Sequence, residues 1–141
     1  MSDITSVLAA LKTLEAGLTG VVTVFEDLPA TISNAQLPAI LHEEVNGRAE
    51  RLTGGLLEET YTVPTRLLAH AFPKQADGLL SDVEALRRAY ADMVLDNPTV
   101  SGTCQNAEVV EWKIQRGQAF GVECAWALLS VRFTLYRRKG S

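Results

Sequence analysis

The chain predicts an α+β fold. Two helices pack on one face of a four-stranded, mostly antiparallel sheet, in the order α-β-β-α-β-β, and a long C-terminal β-hairpin closes the chain. Three observations predict it. Apolar residues recur at three- and four-residue steps in 3–18 and 78–96, the stripe of an amphipathic helix. Apolar and polar residues alternate in 37–45, 60–72, 109–116 and 122–137, the pattern of half-buried strands. The last two strands are separated only by the glycine-bounded turn GQAFG at 117–121.

Each element has a local reason. In the first helix Ile4, Val7, Leu8, Leu11, Leu14 and Leu18 share a face. Ser2 or Asp3 can cap it by accepting from free backbone N–H groups, and Gly17 and Gly20 offer the left-handed conformation that ends it. Residues 21–25, VVTVF, form a brief strand or an extended exit from the helix. Residues 26–36 are a polar loop with the turn formers Pro29 and Asn34. In 37–45, LPAILHEEV, Pro38 stands near the strand start, where a missing N–H does least harm. Ile40 and His42 share one face there, and Leu41 and Glu43 the other. Residues 46–59 open with Asn46-Gly47 and break again at Gly54-Gly55. They read as a mobile connection longer than a hairpin needs. In the returning strand, Tyr61, Val63, Thr65, Leu67, Ala69 and Ala71 share a face, and Pro64 requires an edge or a bulge.

The second helix carries Leu79, Leu80, Val83, Leu86, Tyr90, Met93 and Val94 on one face. Asp77 can cap it, or Ser81 with Glu84 can form a capping box and start it later. Asn97-Pro98 ends it, and a polar loop leads to residue 108. In the final hairpin Val110, Trp112 and Ile114 alternate with Glu111, Lys113 and Gln115. Val131, Phe133 and Leu135 alternate with Arg132, Thr134 and Tyr136. The alternation blurs at 126–129, which implies a bulge or a stretch covered on both faces.

Composition bounds the function. The 141 residues imply one domain, 1–141, able to support its own core. A net charge of −4 and a pI near 5.2 argue against a dedicated nucleic-acid binder, which carries a basic face. They leave room for a surface past which DNA slides without being gripped. No run of about 18 apolar residues exists, so no membrane span is expected. The start, MSDITSVLAALKTLEAG, has no basic cluster ahead of its apolar residues and does not read as a secretory signal. Cys104 and Cys124 stand apart without a CxxC or flanking histidines, so reduced, inert thiols are expected, with no zinc site and no disulfide framework.

Nothing forms a catalytic constellation. His42-Glu43-Glu44 lacks the second histidine of HExxH, and alternation sends His42 and Glu43 to opposite faces. His70 could approach Glu44 across paired strands, but no nucleophile or oxyanion donor accompanies them. Gly54-Gly55 has no Walker lysine or hydroxyl. Arg137-Arg138-Lys139 reads as a solvated end, or as a contact to an acidic partner chain or to passing phosphate. Trp112 and Trp126 read as core residues, or as anchors of an interface. The expectation is a protein that is not an enzyme and holds no cofactor or metal.

An N-terminal helix thus leads through a polar loop to Leu37-Pro38-Ala39-Ile40. A returning TYTVPTRLLAHA strand, a second helix at 79–95 and a hairpin from EWKIQ to VRFTLYRR follow. In this order of elements, over nearly the whole chain, it resembles the tail terminator proteins of long-tailed bacteriophages, also called tail completion or head–tail joining minor tail proteins. The resemblance implies a homo-oligomeric ring, commonly of six subunits, seated on the tail tube protein. Such a ring stops tube growth and meets a neck or head-completion protein. DNA passes through it without sequence recognition. The location implied is the virion tail or neck, after assembly in the host bacterial cytoplasm. A head-side neck adaptor or stopper, or a ferredoxin-like ligand-binding or regulatory domain, are the alternatives. The family carries no residue motif, so candidate interface residues come from the hairpin edge and the middle connection. They are Trp126, Phe133 and Tyr136, with Arg132 and Arg137 facing acids such as Glu50 or Glu58, and Leu56 and Leu57 becoming buried on assembly.

Overall fold

A computed structural model describes residues 3–70 and 76–139, the side chains of 76–79 excepted. Two helices, α1 (Ile4–Ala16) and α2 (Ala76–Asp96), accompany six strands. These are β1 (Thr23–Val24), β2 (Ala39–His42), β3 (Asn46–Thr53), β4 (Leu56–His70), β5 (Asn106–Ala119) and β6 (Val122–Arg138). All belong to one sheet of order β1-β2-β4-β6-β5, with β3 paired to β4 beside β2. The sheet is mixed, because β1 runs parallel to β2. This corrects the four-stranded, mostly antiparallel sheet read from the sequence.

The largest correction is at 46–59. These residues are a β-hairpin rather than a mobile connection. Residues of β3 pair with β4 from Asn46↔Thr62 to Thr53↔Leu56, and Gly54, at φ +51°, takes the turn. Every β3 residue is exposed. With neither face buried, the strand has no apolar alternation to betray it. It is held by backbone pairing to β4.

β2 and β3 lie end to end along the same side of β4, and the break between them comes opposite Pro64. His42 pairs with Thr65 and Asn46 with Thr62, while the Glu43 N–H donates to the Pro64 carbonyl at 2.8 Å. Pro64 has no N–H to return, so the partner strand bulges there. The sheet is therefore two long hairpins, 39–70 and 106–138, side by side. All 15 residues of β4 pair along β6, from Leu56↔Arg138 to His70↔Cys124.

β5 holds a second bulge. Val109 pairs with Val131 and Glu111 with Ser130, leaving Val110 out of the ladder and exposed. The apolar face of β5 is thus Ala107, Val109, Trp112 and Ile114, not Val110, Trp112 and Ile114.

One sheet face is covered by both helices. Val7 and Leu11 of α1 and Val83, Tyr90 and Val94 of α2 share a core with Val63, Leu67, Leu129, Val131 and Phe133. The other face is covered by the loop after β1 and the β5–β6 turn, through Phe25, Ile32, Leu37 and Phe120 over Leu41, Leu68, Cys124 and Trp126. Burial on both faces is why the alternation blurs near 126–129.

The helix ends follow local chemistry. Asp3 Oδ1 accepts from the Ser6 N–H at 2.9 Å and caps α1. Gly17 keeps helical geometry, and Gly20 takes the left-handed one at φ +88°. α2 begins at Ala76, ahead of Ser81, and Glu84 bonds arginines instead of forming a capping box. Asn97 Nδ2 donates to the Met93 carbonyl at 2.9 Å at its end. The expectations for Ser2, for Ala71 and Phe72, and for the side chains of Asp77 and Leu79 lie outside the described residues.

Candidate functional site

The densest polar constellation is buried between the helices and the sheet. Glu15 lies on the buried stripe of α1, four residues after Leu11, and is fully enclosed. An enclosed carboxylate costs several kcal/mol unless partners replace its water. Two do so. Glu15 Oε1 is 2.8 Å from His42 Nε2, and Oε2 accepts from the Tyr90 hydroxyl at 2.6 Å. On the other side of the imidazole, His42 Nδ1 is 2.9 Å from Thr65 Oγ1, which in turn donates to the Val63 carbonyl at 3.3 Å. Burial, and then the charge of Glu15, push the Tyr90 phenol well above its usual pKa, so it stays a donor. The chain of bonds ties α1, β2, β4 and α2 together.

Carboxylate, imidazole and hydroxyl in series are the material of an activated nucleophile. Here the hydroxyl belongs to Thr65, which is fully buried and already bonded on both sides. None of the described clefts is lined by Glu15, His42, Thr65 or Tyr90. His42 and Glu43 do face opposite ways: Glu43 Oε2 accepts from Arg66 Nε at 2.8 Å on the far side of the sheet. The Arg66 guanidinium lies 5.5 Å from the Trp126 ring centre and 5.8 Å from that of Phe120. Glu44 stands beyond the end of β2, while His70 pairs with Cys124, so the two are not brought together by the ladder.

The accessible features lie at the sheet's rims. β5 forms one rim, with β6 on one side only, and β3 forms another, with β4 on one side only. Trp112, on β5, is half exposed, and the Arg87 guanidinium stacks over it at 4.1 Å. Arg87 is held by Glu84, whose carboxyl is pulled down to a pKa of about 2 by the Arg87 hydrogen bonds first and by Arg88 after them. Val110, Leu52 and Tyr136 add exposed apolar surface.

The residues expected at an interface are dispersed. Phe133 is fully buried in the helix-side core, and Trp126 is 9% exposed on the opposite face. Trp126 Nε1 is a buried donor with no hydrogen-bond partner among the described residues. Arg132 bonds Glu108, and Arg137 Nε bonds Glu59 Oε2 at 3.1 Å, both within the chain. Leu56 and Leu57 are half-buried opposite Arg138 and Arg137. Tyr136 is exposed, and Glu50 stands directly opposite Glu58. Sequence reasoning missed Glu15. Its one signal was an acid on an otherwise apolar helix stripe.

Among the described residues no group of three His, Cys, Asp or Glu could hold a metal ion, and no helix is long and apolar enough to cross a membrane. No family model matches this chain, and no curated protein matches it.

Proposed function

We propose that this chain is a structural subunit of a phage tail: a tail terminator that forms a ring, caps the tail tube, stops its polymerisation and joins it to the neck. The observation that carries the proposal is the pair of open strand rims, β3 and β5, on a sheet built of two long hairpins. Unpaired backbone N–H and C=O groups along a rim invite another strand. A head-to-tail contact that uses both rims closes into a ring when the rotation fits. The resemblance to tail terminators read from the sequence names the ring. The acidic net charge of −4 suits a lumen through which DNA moves without being held.

Native mass spectrometry of the subunit, alone and mixed with tail tubes, tests this. The expected result is a closed oligomer, with electron micrographs showing it at one end of the tubes and tube growth halted. A chain that stays monomeric in both settings overturns the reading.

A further inference from the structure

We propose that β5 of one copy pairs antiparallel with β3 of a second copy, in the register that sets Lys113 opposite Glu50 and Trp112 opposite Arg51. The head-to-tail placement rests on the ring reading above. The register rests on this chain's own residues.

Strand direction comes first. β3 is antiparallel to β4, β4 to β6 and β6 to β5, so β3 and β5 run in opposite directions within one copy. A second copy placed beside the first in the same orientation therefore offers its β3 antiparallel to β5. The two sheets then continue with matching faces. Glu111 and Lys113 pair with Ser130 and Leu128, and Arg48 and Glu50 align through β4 with Thr134 and Tyr136. All of these lie on the face away from the helices. Trp112 and Ile114, like Ala49 and Arg51, lie on the helix side. A one-residue slip would set one face against the other.

Charge then selects among the adjacent registers that keep the faces. Glu50 faces Glu58 directly across β3 and β4, and like charges so placed repel. Neither acid, nor Lys113, nor Arg51, makes an ion pair among the described residues. The proposed register brings Lys113 to Glu50, where it offsets that repulsion. It also sets Arg51 beside the exposed indole of Trp112 and Ala49 beside Ile114. Shifting two residues one way places Glu111 against Glu50 and Lys113 against Arg48, two repulsive pairs. Shifting two the other way leaves Lys113 opposite Leu52, with no charge pair. The occupant of the β5 rim is thus a second copy of this chain, and the contact is specified by Lys113 and Glu50.

The test uses the 141-residue chain carrying Cys104→Ser, because Cys124 is fully buried. Lys113→Cys and Glu50→Cys variants are made separately, mixed under mild oxidation and run on a non-reducing gel. A covalent dimer is expected in the mixture and in neither variant alone. Lys113→Cys mixed with Arg48→Cys is the off-register control and should give far less. In parallel, Lys113→Glu or Glu50→Lys should each weaken association about fivefold, the upper end for an exposed cross-strand charge pair. The double exchange should restore it. Both sites are exposed, and circular dichroism checks that each variant folds. If native mass spectrometry shows rings yet 113 and 50 do not cross-link, the register is wrong and the ring reading survives. If the wild type forms no oligomer alone or with tail tubes, both fall.

Discussion

Tyr90 and Glu15 meet at 2.6 Å across 75 residues of sequence, and that contact joins α2 to α1 through one enclosed carboxylate. His42 completes the pair of donors, so Glu15 loses a partner whichever is removed. Tyr90→Phe should destabilise the fold by about 1–3 kcal/mol, the cost of leaving a buried acceptor short of a donor. His42→Ala should cost more, about 3–5 kcal/mol, because it strands a buried charge. Glu15→Met with His42→Leu, which removes both partners, should cost less than His42→Ala alone. Urea unfolding midpoints check all three. A double variant that loses more than His42→Ala alone, as additive effects require, would show that the groups are not coupled.

Gly47 lies directly under a tyrosine ring. It pairs with Tyr61, and a Cβ added there would stand 2.8 Å from Tyr61 Cε1. Gly47→Ala must push the ring aside, at about 1–3 kcal/mol for an overpacked contact. In a Tyr61→Leu background the same change should cost much less. A double-mutant cycle by thermal unfolding measures the coupling, and additive effects would refute it.

Acid should loosen α2 near Trp112. The Glu84 carboxyl titrates at about 2 in the folded protein, against an ordinary value of 4.5, because Arg87 hydrogen-bonds its ionised form. A depressed folded value means that the stabilisation is fully present above the ordinary value. It fades as pH falls from 4.5 toward 2. Glu84→Gln should therefore flatten the stability profile across that window and leave its neutral-pH shape unchanged. Trp112 emission reports whether Arg87 stays stacked. A wild-type-like acid slope in the variant would exclude this role.

Both thiols should be sluggish. Burial pushes Cys104 and Cys124 up to about 11, so almost no thiolate exists at neutral pH. Alkylation by iodoacetamide at pH 7.5 should leave Cys124 untouched until the chain unfolds, with Cys104 reacting slowly. Peptide mass mapping of labelling with time distinguishes the two. Rapid native labelling of Cys124 would contradict its burial.

How far these features could be read in advance follows from where each signal resides. The α1 stripe and the 129–137 alternation were legible because each buries one face more deeply than the other, so the burial period prints itself on the residues. β3 was illegible for the opposite reason: Arg48, Glu50 and Arg51 are exposed on both faces, and only backbone bonds make that segment a strand. Val110 looked like a core residue until the bulge at 109–111 shifted it out of phase. β1, only two residues long, exists because β2 lies beside it.

The residues by themselves determined two amphipathic helices, the long terminal hairpin, the opposed faces of His42 and Glu43, and the disruption at Pro64, since each follows from local periodicity or backbone chemistry. Only the tertiary structure decided that Glu15 finds His42 and Tyr90, that Trp126 and Phe133 are enclosed while Trp112 stands at a rim, and that 46–59 is a strand pair. Those outcomes depend on pairings between segments far apart in the chain. Hydrogen bonds and burial across such distances leave no period in the sequence of either partner.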